Sequence, residues 1–206
     1  MKRLAAVGLL CSLASGWGLR WDLHQLREQI LRLHVVAASD RAGDQQLKLQ
    51  VRDAVLEMLD GELSGMEDAG QVFSHVEQLL PRLEQTANRV LEQAGVSHRA
   101  TVSLDREAFP RRRYEGISLP AGVYHSLRVV IGEGSGHNWW CVVFPSLCGG
   151  SSKEELRRQA RDQGLSDPLS DTLTGDCEIR FWVLDQLGRL ENFLEDARNH
   201  RQAVIK

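Results

Sequence analysis

A glycine-rich run, Gly132-Glu133-Gly134-Ser135-Gly136-His137, has the residue types of a phosphate-binding loop. Such loops hold phosphate with the backbone N–H groups of a helix start, and the dinucleotide fingerprint needs a third glycine where His137 stands. A strand-like apolar segment follows instead of a helix, and Gly-Lys-Ser/Thr is missing. The run therefore predicts a hairpin loop rich in glycine, and we expect no small-molecule cofactor.

Cys141, His137 and Asn138 are the residue types of a cysteine nucleophile with its base and orienting group. Catalytic groups of this kind converge in space rather than in sequence. Cys141 also falls in an apolar strand, where a thiol is normally buried and inert. We assign no catalytic residue, and a hydrolase that uses Cys141 or His137 is the alternative function.

Trp139 and Trp140 are neighbours in that strand, so only one indole can face the core. The other faces solvent, a covering helix or a partner, and exposed tryptophan is enriched at interfaces. We expect a partner-contact surface made of Gly132, Gly134, Gly136, His137, Asn138, Trp139 and Trp140.

Apart from Cys11, the cysteines are Cys141, Cys148 and Cys177, an odd number that leaves one without a partner in the monomer. Cys141 and Cys148 bracket Pro145, where a turn would allow a disulfide; buried free thiols are the alternative. The chain has no Cys-x-x-Cys pair and its histidines are scattered, so no metal site is expected.

Helical spacing predicts the elements that position these residues. Apolar residues at helical intervals predict one helix from Gln45 to near Gly61 and another from Val72 to Gly95, with a kink or break at Pro81. The acidic pair Asp40 and Asp44 flanks the first helix start, where carboxylates cap the helix. A C-terminal helix is indicated by Leu187, Leu190, Leu194 and Ala197.

Alternating residues predict strands over 31–36, 100–104, 124–131, 138–144 and 177–184. Two stretches between the second and third predicted strands have the composition of loop and turn, 109–114 and 119–122. The prediction is an α/β fold (mixed α+β) with a five-stranded mixed sheet. A helical crossover joins the first two strands as a parallel pair, and the strands on either side of the glycine-rich run form a central antiparallel hairpin.

Composition limits the class of protein. The chain has 206 residues, of which 42% are hydrophobic and 26% charged, as in a globular domain. Lys and Arg number 25 against 28 Asp and Glu, a net charge of −3, so nucleic acid is not an expected partner. We expect a single globular domain over 17–206, with a polar connection at about 149–176.

The first residues have the three parts of a secretory signal. Met1-Lys2-Arg3 is basic, 4–13 is mostly apolar, and Ala14-Ser15-Gly16 supplies small residues for a cut before Trp17. We expect residues 1–16 to be a signal peptide, or an anchor that keeps the protein near a membrane. A plain apolar first helix is the alternative.

Several stretches resemble the stage II sporulation protein R family. They are 30–40 with Asp44-Gln45 and 47–56, then 119–124 with 127–134, and finally 136–145 with Leu147-Cys148. The run Gly136-His137-Asn138-Trp139-Trp140-Cys141 is the most specific. The resemblance covers roughly residues 30–148, with a weaker echo at 178–185, and Ala38 stands where the family often has Asn.

The resemblance implies a signal protein of endospore formation. Members are made in the forespore and secreted across its membrane into the intermembrane space. There they activate a membrane-embedded aspartic protease, the partner, which processes the precursor of sigma factor E in the mother cell. The implied activator is not an enzyme, and an exported hydrolase is the alternative.

Overall fold

The computed structural model describes residues 21–144, except 22, 26, 115 and 116, together with residues 184–194 and residue 197. Within 21–29 and 184–194, the described residues are helical. The other elements, in chain order, are β1 (Leu31–Val36), α1 (Ala42–Leu63), α2 (Ala69–Gln93), β2 (Ala100–Phe109), β3 (Arg112–Tyr114), β4 (Ile117–Leu119), β5 (Gly122–Ile131) and β6 (Asn138–Phe144).

The chain divides into two compact units. The sheet unit comprises Gln29–Glu107 and Tyr124–Ser151, and it contains α1, α2, β1, β6 and most of β2 and β5. The terminal unit comprises Met1–Glu28, Ala108–Val123 and Ser152–Lys206, and it contains β3 and β4. The candidate functional residues lie in the sheet unit.

Both long helices form where the apolar spacing predicts them. The Asp68 side chain begins α2 by accepting a hydrogen bond from the Gln71 N–H at 2.8 Å. α2 then continues through Pro81 as one helix, so a break there is wrong. Leu79 and Leu83 are buried on either side of the proline, and their packing offsets the loss of one helical hydrogen bond.

The main sheet has four strands in the order β2-β5-β1-β6. β1 pairs in parallel with β5, where Leu33 faces Leu127, and antiparallel with β6, where Leu33 faces Cys141. β1 is buried at every position but His34, as suits a central strand, whereas β2 exposes charged side chains, as suits an edge.

This order corrects two predictions about connectivity. β1 and β2 are not neighbours, because β5 lies between them and is the parallel partner of β1. The central hairpin is also wrong, since β5 and β6 lie on opposite sides of β1. The apolar character of a strand does not fix its place, since β6 is largely apolar and lies at the edge, and alternation within one strand does not reveal which neighbour it will have.

The five-stranded count is wrong as well. The described strands form the four-stranded sheet and a separate antiparallel pair of β3 with β4; β3 lies in a stretch predicted as loop, and β4 ends at Leu119, where the predicted turn begins. Three-residue strands are too short to show periodicity. Of the predicted fifth strand, 177–183 lie outside the described residues and Leu184 is helical. The predicted signal segment and the polar connection also lie outside the described residues.

α1 and α2 share one apolar core with the sheet. Leu33 and Val35 of β1, with Leu127 and Val129 of β5, belong to the same buried cluster as the helix residues. The helices contribute to that cluster Leu47, Val51, Val55, Leu59, Val72, Val76, Leu79, Leu83, Ala87 and Leu91. Each buried valine or leucine side chain of this set contributes roughly 1.5–3 kcal/mol by leaving water. Among the described helices, none has the length and apolar character needed to cross a bilayer.

The other face of the sheet carries a polar network that reaches all four strands. Glu107 on β2 accepts hydrogen bonds from Ser126 Oγ on β5 at 2.5 Å and from His34 Nδ1 on β1 at 3.0 Å. Arg128 Nε lies 3.4 Å from the same carboxylate, and the Trp140 ring on β6 stacks on His34 at 5.7 Å between centroids. Because its members come from separate strands, this network favours one register over its alternatives.

Replacing Glu107 by Gln should lower the free energy of unfolding at pH 7 by about 1–3 kcal/mol, because charge-assisted hydrogen bonds are lost. Burial raises the pKa of Glu107, but the hydrogen bonds from His34 and Ser126 outweigh it and hold that pKa below its ordinary value. The carboxylate therefore stabilises the fold above its unfolded pKa of about 4.3, and this stability is lost as the pH falls through the lower, folded pKa.

Urea denaturation of the protein and of Glu107→Gln from pH 7 to pH 2 measures this difference, which should shrink over that acidic range. Asp105→Asn, which changes an exposed carboxylate of the same strand, should alter the free energy of unfolding by less than about 0.5 kcal/mol. A Glu107→Gln difference that stayed constant down to pH 2 would contradict the assignment.

Candidate functional site

The glycine loop (residues 132–137) passes over the end of β1 on its way from β5 to β6. Gly136 N–H donates to the Ala37 carbonyl at 3.0 Å, and Ser135 donates to the Ala38 carbonyl from N–H at 3.3 Å and from Oγ at 2.7 Å. These donors satisfy the carbonyl groups of the two residues that follow β1. Hydrogen bonds from the middle of the loop thereby fix it to the chain that leaves β1.

Glycine is required in this loop for two different reasons. Gly132 and Gly134 have φ of 58° and 63°, in the left-handed region that side chains disfavour. At Gly136 the reason is space, because an added Cβ would lie 2.4 Å from the Ser39 carbonyl oxygen. The predicted role of these glycines in shaping the loop therefore has a geometric basis, although the loop is not a hairpin.

His137, at the end of the loop, is held by Asp40. The Asp40 carboxylate accepts from the His137 N–H at 2.7 Å and also contacts His137 Nδ1. The hydrogen bond from the His137 side chain, and then that from its backbone, hold the pKa of Asp40 below its ordinary value. Asp40 was predicted as a helix cap, which is wrong: α1 begins after Arg41 without a side-chain cap.

A second carboxylate lies beside the start of the loop. Asp44 accepts a hydrogen bond from Ser39 Oγ at 2.5 Å, and its Oδ1 lies 3.7 Å from His98 Nε2. His98 in turn is the nearest side chain to the position where a Cβ would stand at Gly132. Despite these pairs, the described part of the chain contains no cluster of histidine, cysteine and acidic side chains that could hold a metal ion.

The two tryptophans face opposite sides of the sheet. Trp140 stacks on His34, whereas Trp139 is 38% exposed and lies under the Arg52 guanidinium, 4.4 Å from the ring centroid. Arg52 is also paired with Asp53 at 2.6 Å. The stacked cation favours this orientation of the indole while part of the ring stays open to solvent.

The predicted contact residues therefore separate into two groups. The glycine loop, the exposed Asn138 and Trp139 form one outer surface, which we call the loop surface, and Trp140 belongs to the opposite face of the sheet. Three residues of α1 and its approach, which the sequence does not mark as contact residues, complete the loop surface: Asp40, Lys48 and Arg52.

Cys141 is buried in β6 and forms a disulfide bond. Its partner lies outside the described residues, so the pairing with Cys148 stays a prediction. A disulfide sulfur carries no thiolate and cannot attack a substrate as a nucleophile.

Gly136→Ala should lower the free energy of unfolding by about 1–3 kcal/mol, because the new methyl group would overlap the backbone carbonyl of Ser39, in the segment that leaves β1. Gly61→Ala is the control: this helical glycine has no atom within 4 Å of the added Cβ, and the change should raise stability by about 0.5–1 kcal/mol. Urea denaturation measures both, and equal effects of the two substitutions would contradict the close approach.

Acidification should release His137 from Asp40. Because the pKa of Asp40 is lowered, the contact is retained below the ordinary titration range of aspartate and lost as the pH falls through that lowered pKa. The backbone amide resonance of His137, followed by NMR from pH 6 to pH 2, should show this single transition. Asp40→Asn should abolish the transition, and its persistence in that variant would assign it to another group.

Comparisons with known proteins agree with the sequence resemblance. The family described as Stage II sporulation protein R (spore_II_R) matches residues 27–154, a range that includes every strand of the main sheet and the loop surface. The chain is 33% identical over 153 residues to the Stage II sporulation protein R of Bacillus subtilis (strain 168), an alignment that covers 70% of this chain and 67% of that protein. No solved structure matches. The chain thus belongs to the stage II sporulation protein R family.

Proposed function

We propose that this protein is an exported signalling protein of sporulation that works by contact. Its partner is a membrane-embedded aspartic protease, and its binding activates that protease to process the precursor of sigma factor E in the mother cell. The protein is secreted across the forespore membrane into the intermembrane space, where it meets the partner. Membership of the family supports the sporulation role.

The observation that carries the contact mechanism is the construction of the loop surface. The glycine loop is fixed by hydrogen bonds to the backbone of Ala37 and Ala38, so the surface is ordered before any partner arrives. Trp139 and His137 stand exposed at its edge. Rigid placement of a few aromatic and polar anchors reduces the entropy lost on binding, which is what a contact activator requires.

Activation by contact has a thermodynamic form. A binding protein raises the active fraction of its partner only as far as it binds the active state more tightly than the inactive one. The alternative, a hydrolase that uses Cys141, is disfavoured because that sulfur is buried and disulfide-bonded. His137 is bound to Asp40, an arrangement found in acid–base catalysis, but among the described residues its imidazole contacts that carboxylate and no hydroxyl or thiol group.

Reconstitution of the purified protein with the candidate protease and a precursor substrate tests the mechanism. Cleavage should saturate as a binding isotherm in the concentration of this protein, and it should stop when this protein is removed. Cys141→Ser combined with Cys148→Ser should still activate, provided that the variant folds. Activation of excess protease by trace amounts, persisting after removal, would show that this protein acts as an enzyme.

Trp139→Ala should raise the concentration needed for half-maximal activation by about tenfold or more, since buried aromatic anchors dominate interface energies. Adding Gly134→Val should abolish activation, because the glycine has φ of 63° and an added Cβ would lie 2.6 Å from Val130 Cγ1. Circular dichroism must show that both variants fold. Trp21→Ala is the matched control, because it removes an exposed indole of the terminal unit. Normal activation by a folded double variant would contradict the loop surface as the contact site.

A further inference from the structure

We propose that Lys48 is the positioning residue of the loop surface: its buried ammonium group holds the His137 carbonyl and so sets the start of β6, where Trp139 lies. The positioning role is argued from the contacts of Lys48 and does not depend on the proposed function. Only the consequence for protease activation rests on the proposed function.

The first step is that Lys48 is buried where lysine rarely is. The side chain lies on α1 and is 5% exposed, although lysine is almost never fully buried unless its charge has partners. Lys48 Nζ donates to the His137 carbonyl at 2.9 Å and to Gln45 Oε1 at 2.6 Å. An ammonium group offers three donors and accepts nothing, so these two oxygens match its chemistry.

The second step is that Gln45 extends this contact to the other side of the loop. Gln45 Nε2 donates to the Ser39 carbonyl at 2.9 Å, just after the end of β1. Lys48 and Gln45 therefore connect the segment that leaves β1 with the last residue of the glycine loop. A continuous chain of side-chain hydrogen bonds from α1 therefore holds both segments. The backbone hydrogen bonds of Gly136 and Ser135 join the same two segments at a second point.

The third step is the spacing along α1. Gln45, Lys48 and Arg52 are separated by three and four residues, so they lie along one side of the helix. The first two bind the backbone of the loop region, and Arg52 stacks on the Trp139 ring. One polar stripe of α1 thus contacts both the carbonyl of His137 and the indole two residues later.

The electrostatic environment agrees with this geometry. Burial lowers the pKa of Lys48, while the Asp40 carboxylate acts in the opposite direction and favours the ammonium form. In return, the charge of Lys48 contributes to the lowered pKa of Asp40, after the larger effect of the His137 hydrogen bonds. Removing the ammonium group should therefore raise the pKa of Asp40 and also loosen the backbone at His137.

Lys48→Met tests the inference, because methionine keeps much of the length of the side chain without the charge. Gln50→Met is the matched control, an exposed position of the same helix. Hydrogen exchange of the Gly136 and His137 amides should be faster by about tenfold or more in Lys48→Met and unchanged in Gln50→Met, since a hydrogen bond from a charged donor is lost. The pKa of the Asp40 carboxyl, measured by NMR, should rise only in Lys48→Met.

Protease activation separates this inference from the proposed function. Lys48→Met should raise the half-maximal concentration by about tenfold while leaving the maximal rate unchanged, because the anchors remain but are less ordered. If exchange and the Asp40 titration are unchanged in Lys48→Met, the positioning role is overturned, whatever the protease does. If the loop loosens and activation stays normal, the positioning role stands and the loop surface is not the contact site.

A second variant keeps the test decisive if Lys48→Met does not fold. Gln45→Met removes one acceptor of Lys48 and the donor to the Ser39 carbonyl, on a half-buried side chain. It should speed exchange of the same two amides severalfold. Unchanged exchange in a folded Gln45→Met variant would overturn the connection from α1 to the loop.

Discussion

The backbone carbonyl groups that follow β1 must find hydrogen-bond donors, and most of the candidate site depends on how they do so. β1 is the central strand of the described sheet, and its chain leaves the sheet through the buried residues Ala37 and Ala38. Buried carbonyl groups without donors are costly, and the N–H groups of Gly136 and Ser135 satisfy these two. The buried chain that follows β1 therefore requires the glycine loop to lie where it does.

The same requirement explains why the loop is rich in glycine. To lie on the end of β1, the backbone must turn at Gly132 and Gly134 with positive φ and must approach the Ser39 carbonyl at Gly136. A side chain is therefore disfavoured at these three positions, and the exposed polar and aromatic residues His137, Asn138 and Trp139 come after them. Of these, His137 is held by Asp40, before α1, and Trp139 by Arg52 of α1.

The sheet has faces of different character, and each stabilises the site in its own way. The helical face is apolar. Because α1 packs on it, the stripe of Gln45, Lys48 and Arg52 lies against the loop region. The opposite face carries the network around Glu107, which reaches β1, β2, β5 and β6 and favours a single register. A slip of one residue in β6 would bring Trp140 to the place of Trp139, so the register of the sheet decides which indole is available to a partner.

The sequence by itself determined the two long helices, the strands of the main sheet and the family, because periodicity and short motifs are local properties. It also singled out the glycines, His137 and Trp139, whose residue types are unusual where they stand. Tertiary structure alone decided that β5 and β6 flank β1, because a strand's alternation is compatible with several neighbours. It alone decided the roles of Asp40 and Lys48, whose partner His137 lies 97 and 89 residues away in the chain. A carboxylate before a helix predicts a cap, and a lysine on a helix predicts a solvated side chain, until folding brings a distant backbone to them.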